Sequence, residues 1–345
     1  MAEPGKNVDL VFEGGGVKGI GLVGAVSVLE ERGYAAQNLA GTSAGAIVAT
    51  LLAAGYTAAE LHEAMLALDY REFEDRAWED EVPLVGAPLS ILKDKGLYEG
   101  EALLVWMRER LEAKGVRTFR DLVHPDFAGE ERYRYRVQVI ASDLTARRLL
   151  VLPQDARTFG IEPDDLDVGL AVRMSASVPF LFEPVRLEDP WTAQEHLIVD
   201  GGVLSNFPVW LFDVEGEPPW PTFGLLLVEA DPKTPLGERL PAAGGAGVIG
   251  YVRSLIATML EAHDRLYVEK ASFARTIPIP TLGVGTTEFD LARPRALALY
   301  EAGRRAAERF LEGWSFEGYI AEFRRGKAHS RRAELAAEMR LAAER

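Results

Sequence analysis

Short runs of consecutive apolar residues that end in glycine alternate with longer segments of helical periodicity along this chain. Val8-Asp9-Leu10-Val11-Phe12 reads as a first strand. It runs into Glu13-Gly14-Gly15-Gly16-Val17-Lys18-Gly19, and a helix over about 20–32 follows, stopped by Gly33. Asn38-Leu39-Ala40 reads as the end of a short buried strand, and residues 44–54 as a helix of small apolar residues stopped by Gly55. Residues 56–78 read as helical, with Leu61, Met65 and Leu68 at helix spacing. Residues 80–96, with Pro83, Gly86 and Pro88, read as an irregular flap. A further amphipathic helix is expected over 100–112, with Leu103, Leu104, Trp106, Met107 and Leu111.

In the second half, residues 134–142 alternate as a strand that ends in Ala141-Ser142-Asp143-Leu144-Thr145, and residues 149–152 suggest a paired strand. Residues 162–167 are acid-rich without the ligand spacing of a calcium loop, so they read as a solvated turn and helix start. A small-residue helix over 170–177 leads into Ser177-Val178-Pro179-Phe180. Leu197-Ile198-Val199 then runs into Asp200-Gly201-Gly202, a strand with an acid at its tip. Asn206 reads as a cap or turn residue. A continuous apolar strand is expected over 223–229, a long Pro/Gly-rich loop over 231–247, a helix over 248–272, a late strand over 276–285 and a helix over 295–311. From Arg324 the balance turns basic, with Arg325, Lys327, Arg331 and Arg332.

Composition narrows the chemistry. The 345 residues are 48% hydrophobic, enough for one large α/β domain or two ordinary ones with a real core. There is no cysteine, which excludes disulfides, thiolate metal sites and cysteine nucleophiles and fits a reducing compartment. A formal net charge of −15 disfavours long-range attraction to nucleic acid or anionic lipid. The longest apolar runs, 20–29 and 44–54, fall short of the roughly 20 residues a membrane-spanning helix needs. Residues 1–7 carry no signal pattern. The expectation is a cytoplasmic protein that touches a membrane surface, if at all, without crossing it.

Two glycine-rich stretches carry the candidate chemistry. Gly41-Thr42-Ser43-Ala44-Gly45 is a G-x-S-x-G sequence between an expected strand and an expected helix. A strand that turns straight into a helix makes a strained bend that lifts the serine oxygen clear of the backbone, while small neighbours admit a substrate. The helix N-terminus behind Ser43 favours negative charge developing there. The same pattern also occurs in plain small-residue turns. Gly14, Gly16 and Gly19 satisfy a dinucleotide fingerprint, but no acidic residue stands about 20 positions on, and no Gly-Lys-Ser/Thr follows as in a phosphate loop. The alternative is an oxyanion hole, because this loop and the Ser43 bend would lie at the carboxyl ends of neighbouring parallel strands. Lys18 opposes the dipole of the helix it begins; it is either a surface lysine or a group that fixes the loop or meets an anionic head group.

A serine hydroxyl needs a base. The five histidines are His62, His124, His196, His263 and His329, and none stands beside a turn glycine at a strand end. Asp200 does, with Gly201 and Gly202 clearing room for another side chain. A carboxylate is a weak base for an alcohol unless desolvation raises its pKa and an oxyanion hole carries much of the barrier reduction. Asp-Gly is also a common turn pair.

The blocks Gly14-Gly15-Gly16-Val17-Lys18-Gly19, Gly41-Thr42-Ser43-Ala44-Gly45 and Asp200-Gly201-Gly202, in that order, resemble the patatin-like phospholipases, as do Ser175-Ala176-Ser177-Val178-Pro179-Phe180 and Ala141-Ser142-Asp143-Leu144-Thr145. The likeness runs from about Val8 to about Arg324. It implies a three-layer α/β/α fold around a mostly parallel sheet, as one domain over 8–323, with residues 1–7 as lead-in and 324–345 as a basic, alanine-rich tail. It implies a Ser43–Asp200 dyad without histidine, an oxyanion hole within 14–19, elbow glycines Gly41 and Gly45, and Gly201 and Gly202 supporting the acid. The implied activity is hydrolysis of fatty-acyl esters of phospholipids or lysophospholipids, of phospholipase A or lysophospholipase type, with no metal and no cofactor. The alternatives are a small-ester or thioester hydrolase on the same dyad and a catalytically silent lipid-docking protein. Where many members carry arginine, this chain has Lys18, and the two are not equivalent at bidentate sites. The expected partner is a lipid or ester substrate with transient membrane-surface contact through the run from Arg324 to Arg332, and the long loop before Val248 as a flap.

Overall fold

The computed structural model describes residues 6–68, 98–228 and 270–325. Its centre is an eight-stranded mixed sheet. The strands are β1 (Lys6–Phe12), β2 (Tyr34–Thr42), β3 (Val137–Asp143), β4 (Arg148–Leu152), β5 (Val185–Asp189), β6 (Gln194–Asp200), β7 (Thr222–Val228) and β8 (Thr276–Pro280). From β8 through β7, β1 and β2 to β3 every pairing is parallel. Beyond that core, β3 pairs antiparallel with β4 and β6, and β6 with β5. Most residues of the parallel strands are buried, because both faces of the sheet are covered. The antiparallel edge is not visible in periodicity.

The α-helices among the described residues are α1 (Gly19–Glu31), α2 (Ala44–Ala53), α3 (Ala58–Ala67), α4 (Glu101–Glu112), α5 (Val168–Ser175), α6 (Lys270–Ala274), α7 (Arg293–Gly313) and α8 (Phe316–Tyr319). The main core gathers Leu10, Phe12, Leu39 and Val139 from the sheet with Leu22, Val48, Leu61, Met107, Val172 and Leu299 from the helices on one face. Val11, Ala40 and Ile140 point to the other face and meet Phe207, Val209, Leu211 and Phe212, the last three from the 3-10 turn Val209–Phe212. The layers are those of a three-layer α/β/α fold. The helix expected over 56–78 is seen as α3, and its remainder lies outside the described residues. So do the flap at 80–96, the loop at 231–247, nearly all of the helix at 248–272 and the tail beyond Arg325.

One detail of the register decides the site. Val139 and Ile140 pair with both β2 and β4, and residues 141–143 with both β4 and β6. A strand has only two edges, so β2 and β6 lie end to end along the same edge of β3. They run in opposite directions and stop at one point: Thr42, the last residue of β2, faces Ile140, and Asp200, the last of β6, faces Ala141.

Candidate active site

Ser43 follows Thr42 at that point. Its backbone stands at φ 53, ψ −125, between β2 and α2. A non-glycine residue there is strained and persists only where its surroundings hold it. Gly41 and Gly45 are needed by close approach: a Cβ on Gly41 would stand 2.4 Å from the Gly45 carbonyl carbon, and one on Gly45 would stand 2.5 Å from the Glu13 carbonyl oxygen. The Ser43 carbonyl accepts the N–H groups of Ala46 at 2.9 Å and Ile47 at 3.2 Å. The N–H groups of Ala44 and Gly45, in the first turn of α2, have no partner within the helix.

The glycine loop crosses directly beside it; a Cβ on Gly14 would lie 3.2 Å from that of Ser43. Gly14 N–H donates to Asn206 O at 3.1 Å, Val17 N–H to Thr286 O at 3.3 Å, Lys18 N–H to Gly15 O at 3.2 Å, and Gly19 N–H to Gly16 O. Of the six residues 14–19, four therefore spend their N–H groups on the protein, and those of Gly15 and Gly16 have no acceptor among the described residues. Gly16 has φ +55, and a Cβ there would meet Thr286 O at 2.0 Å. The surface-lysine reading of Lys18 does not hold: the residue is 4% exposed. Its side chain folds along the loop, with Cε 3.6 Å from where a Gly15 Cβ would stand, and its ammonium has no hydrogen bond or ion pair among the described residues.

Asp200 is fully buried. Its Oδ1 accepts Gly202 N–H at 2.7 Å, and its Oδ2 has no hydrogen-bond partner among the described residues. Burial pushes the carboxyl up to about 7, opposed by the Ser43 hydroxyl and the Gly202 N–H. Gly201 is pressed against β3, where a Cβ would lie 2.4 Å from Ile140 O. The acid turn is held from three sides. Asp200 N–H donates to Ser177 O at 2.8 Å, Ser142 Oγ to Gly201 O at 3.3 Å, and Thr42 Oγ1 to Ser205 O at 3.1 Å.

The described histidines are engaged elsewhere. His196 Nδ1 lies 2.7 Å from Asp143 Oδ2, His62 stacks on Tyr300 and His124 Nδ1 accepts Asp126 N–H. His263 and His329 lie outside the described residues. Among the described residues no cluster of three or more His, Cys, Asp or Glu could hold a metal ion.

Sequence reasoning missed two residues. Asn206, read as a cap or turn residue, is buried and ties the loop to the acid turn, its Nδ2 donating to Gly14 O at 3.1 Å and Glu13 Oε1 at 3.3 Å. Glu13 also accepts Leu227 N–H. The only available signal was an acid immediately before the glycines. A hollow of about 320 Å³ adjoins Val17, lined by Ile20, Met65, Leu66, Asp290 and Arg293 among others.

The family model for patatin-like phospholipases matches residues 10–213. The chain is 39% identical to the uncharacterised protein YqhO of Bacillus subtilis (strain 168) over 311 residues, 90% of this chain and 99% of that protein. It is 24% identical over 205 residues to a protein of Invertebrate iridescent virus 6 named "Probable lipid hydrolase 463L", covering 58% of this chain and 61% of that one. Among solved structures, VipD from Legionella pneumophila matches with a TM-score of 0.53 at 18% identity, over 90% of this chain and 67% of that one, a likeness of fold.

Proposed function

The chain belongs to the patatin-like phospholipase family, and on that premise we propose that it is a serine lipid acyl hydrolase working through Ser43 and Asp200. The observation that carries this reading is the end-to-end meeting of β2 and β6, which brings Ser43 and a buried carboxyl to one point. Ser43 Oγ attacks the ester carbonyl while Asp200 Oδ2 takes its proton. A base with a pKa near 7 is matched to work at neutral pH. The developing oxyanion is held by the N–H groups of Gly15 and Gly16, with Ala44 N–H at the head of α2 adding to them. Asp200 returns the proton to the leaving alcohol. It then deprotonates the water that cleaves the acyl-enzyme, releasing the fatty acid and restoring Ser43. No step calls for a metal or cofactor.

A phospholipid or lysophospholipid is the proposed substrate class. The family supports a lipid. No helix among the described residues is long and apolar enough to cross a membrane. Lipid is instead reached by surface contact, for which the exposed Leu144, Leu204 and Leu282, each just past a strand end or the acid turn, are suited. The expected contact through the basic run loses its first member. Arg324 donates to Asp213 Oδ1 at 2.8 Å beside Arg275, which precedes β8 at the amino-terminal edge of the sheet, away from Ser43.

The test compares wild type with Ser43→Ala on a mixed lipid extract, read by mass spectrometry. Fatty acid and lysolipid should appear with wild type alone. Equal product from both proteins, or from neither while short soluble esters are cleaved by wild type, would reject the lipid hydrolase reading.

A further inference from the structure

Ser43 N–H does not reach the strand it should pair with. Leu39 N–H donates to Arg136 O at 2.9 Å, and a parallel ladder repeats that rung every second residue, so the rung at position 43 falls on Ile140 O. Instead Ser43 N–H donates to Ser175 Oγ at 2.9 Å, and Ser175 Oγ donates to Ile140 O at 2.5 Å. One hydroxyl, fully buried at the last residue of α5, is spliced into the ladder. Two residues on, Ser177 O takes the N–H of Asp200 at 2.8 Å. The Ser177 hydroxyl is in turn fixed by Arg173, donating to its carbonyl at 2.7 Å and accepting from its guanidinium. The segment from Ser175 to Ser177 thus grips the backbone of both Ser43 and Asp200.

We propose that Ser175 is a positioning residue for the hydrolysis. By replacing a direct rung with a hydroxyl bridge, it lets Ser43 leave the plane of β2 at positive φ while keeping both buried backbone groups satisfied. Through Ser177 it fixes the reach from Ser43 to Asp200. The inference rests on Ser43 being the nucleophile. Without the bridge, Ser43 N–H and Ile140 O are left to pair directly or stay unpaired. Either shifts the hydroxyl relative to its base, and displacements near 1 Å cost about 100-fold in rate.

The experiment measures covalent labelling of Ser43 by a fluorophosphonate in wild type, Ser175→Ala and Ser175→Thr, recording the rate constant and the final labelled fraction, with kcat and KM on a soluble short-chain ester. The expected result is a 10- to 100-fold slower rate constant for Ser175→Ala at an undiminished labelled fraction. The loss should lie in kcat, with KM within about twofold, and Ser175→Thr should recover most of it. A wild-type rate constant for Ser175→Ala, or a loss confined to the labelled fraction, would reduce Ser175 to a folding role and overturn the proposal. Should Ser175→Ala not fold, Ser175→Cys, with its weaker donor and acceptor, carries the test: an intermediate rate constant supports the bridge and a wild-type one contradicts it. Failure of wild type to label would sink the nucleophile reading itself, and the bridge with it.

Discussion

The two ends of the central sheet treat buried charge in opposite ways. At the amino-terminal edge, Asp213 is gripped by Arg275 at 2.5 Å and Arg324 at 2.8 Å, and Asp9 Oδ1 accepts both the backbone and the side-chain N–H of Asn38 at 3.1 and 2.9 Å. At the carboxyl end, Asp200 Oδ2, the Lys18 ammonium and the N–H groups of Gly15 and Gly16 have no partner among the described residues. Asp200 and Lys18 are as buried as Asp9 and Asp213. An unpaired buried polar group is costly, so a protein keeps one where something else is to fill it. On the proposed reading, the ion pairs at the amino-terminal edge stabilise the fold and the unpaired groups at the carboxyl end await substrate.

The sharpest break in this comparison is Ser43→Ala. Turnover should fall by about 10⁴-fold or more while the melting temperature stays within about 2 °C, because the lost hydroxyl fills no core volume; ester turnover and a thermal melt decide it. Asp200→Asn should lose about 10³-fold or more in kcat. Its carboxyl rises from 3.8 to about 7 on folding, so the folded state holds a proton that the unfolded chain has released between those values. The stability this group supplies is present in full below about pH 4 and lost as pH rises through about 7, up to about 4 kcal/mol. Asp200→Asn should therefore match wild type in denaturant titrations at pH 4 and exceed it at pH 8. The activity of wild type should do the reverse, with kcat/KM rising through pH 7 as the carboxyl ionises.

Smaller effects on activity are expected away from the meeting of β2 and β6. His196→Gln removes a partner of the buried Asp143 but touches neither Ser43 nor Asp200. Its kcat/KM should stay within about threefold of wild type; a loss as large as that of Asp200→Asn would replace the dyad by a triad. Arg275→Met should leave the activity per folded molecule unchanged while lowering stability by about 3 kcal/mol, since it strips a partner from buried Asp213. A fall in kcat with no fall in stability would erase the contrast between the two ends.

The parts of the candidate site that are local in sequence were legible there as a pattern. A strand running into three glycines, a serine between glycines at a strand-to-helix bend and an acid before two glycines each announce themselves within a few residues. What was not legible depends on distant contacts. Ser175 bridges to Ser43 from 132 positions away, and Asn206 reaches Gly14 across 192. The burial of Lys18 could not be read from a helix start that would suit an exposed lysine equally well. The antiparallel edge escaped for a related reason. The strands β3 and β6 look alike in apolar content, and direction is set by the connection between them. That direction makes β6 arrive head-on at β2, which is how Asp200 reaches Ser43.

The central claim is that Ser43 forms an acyl-enzyme with Asp200 as its base. Wild type and Asp200→Asn would each be mixed with a lysophospholipid, quenched in acid within the first turnovers and digested for peptide mass spectrometry. The account predicts a fatty-acyl adduct on Ser43 in wild type, formed at least about 10³-fold more slowly in Asp200→Asn. An adduct on another residue, product release with no adduct on Ser43 at any quench time, or acylation of Asp200→Asn at the wild-type rate would contradict it.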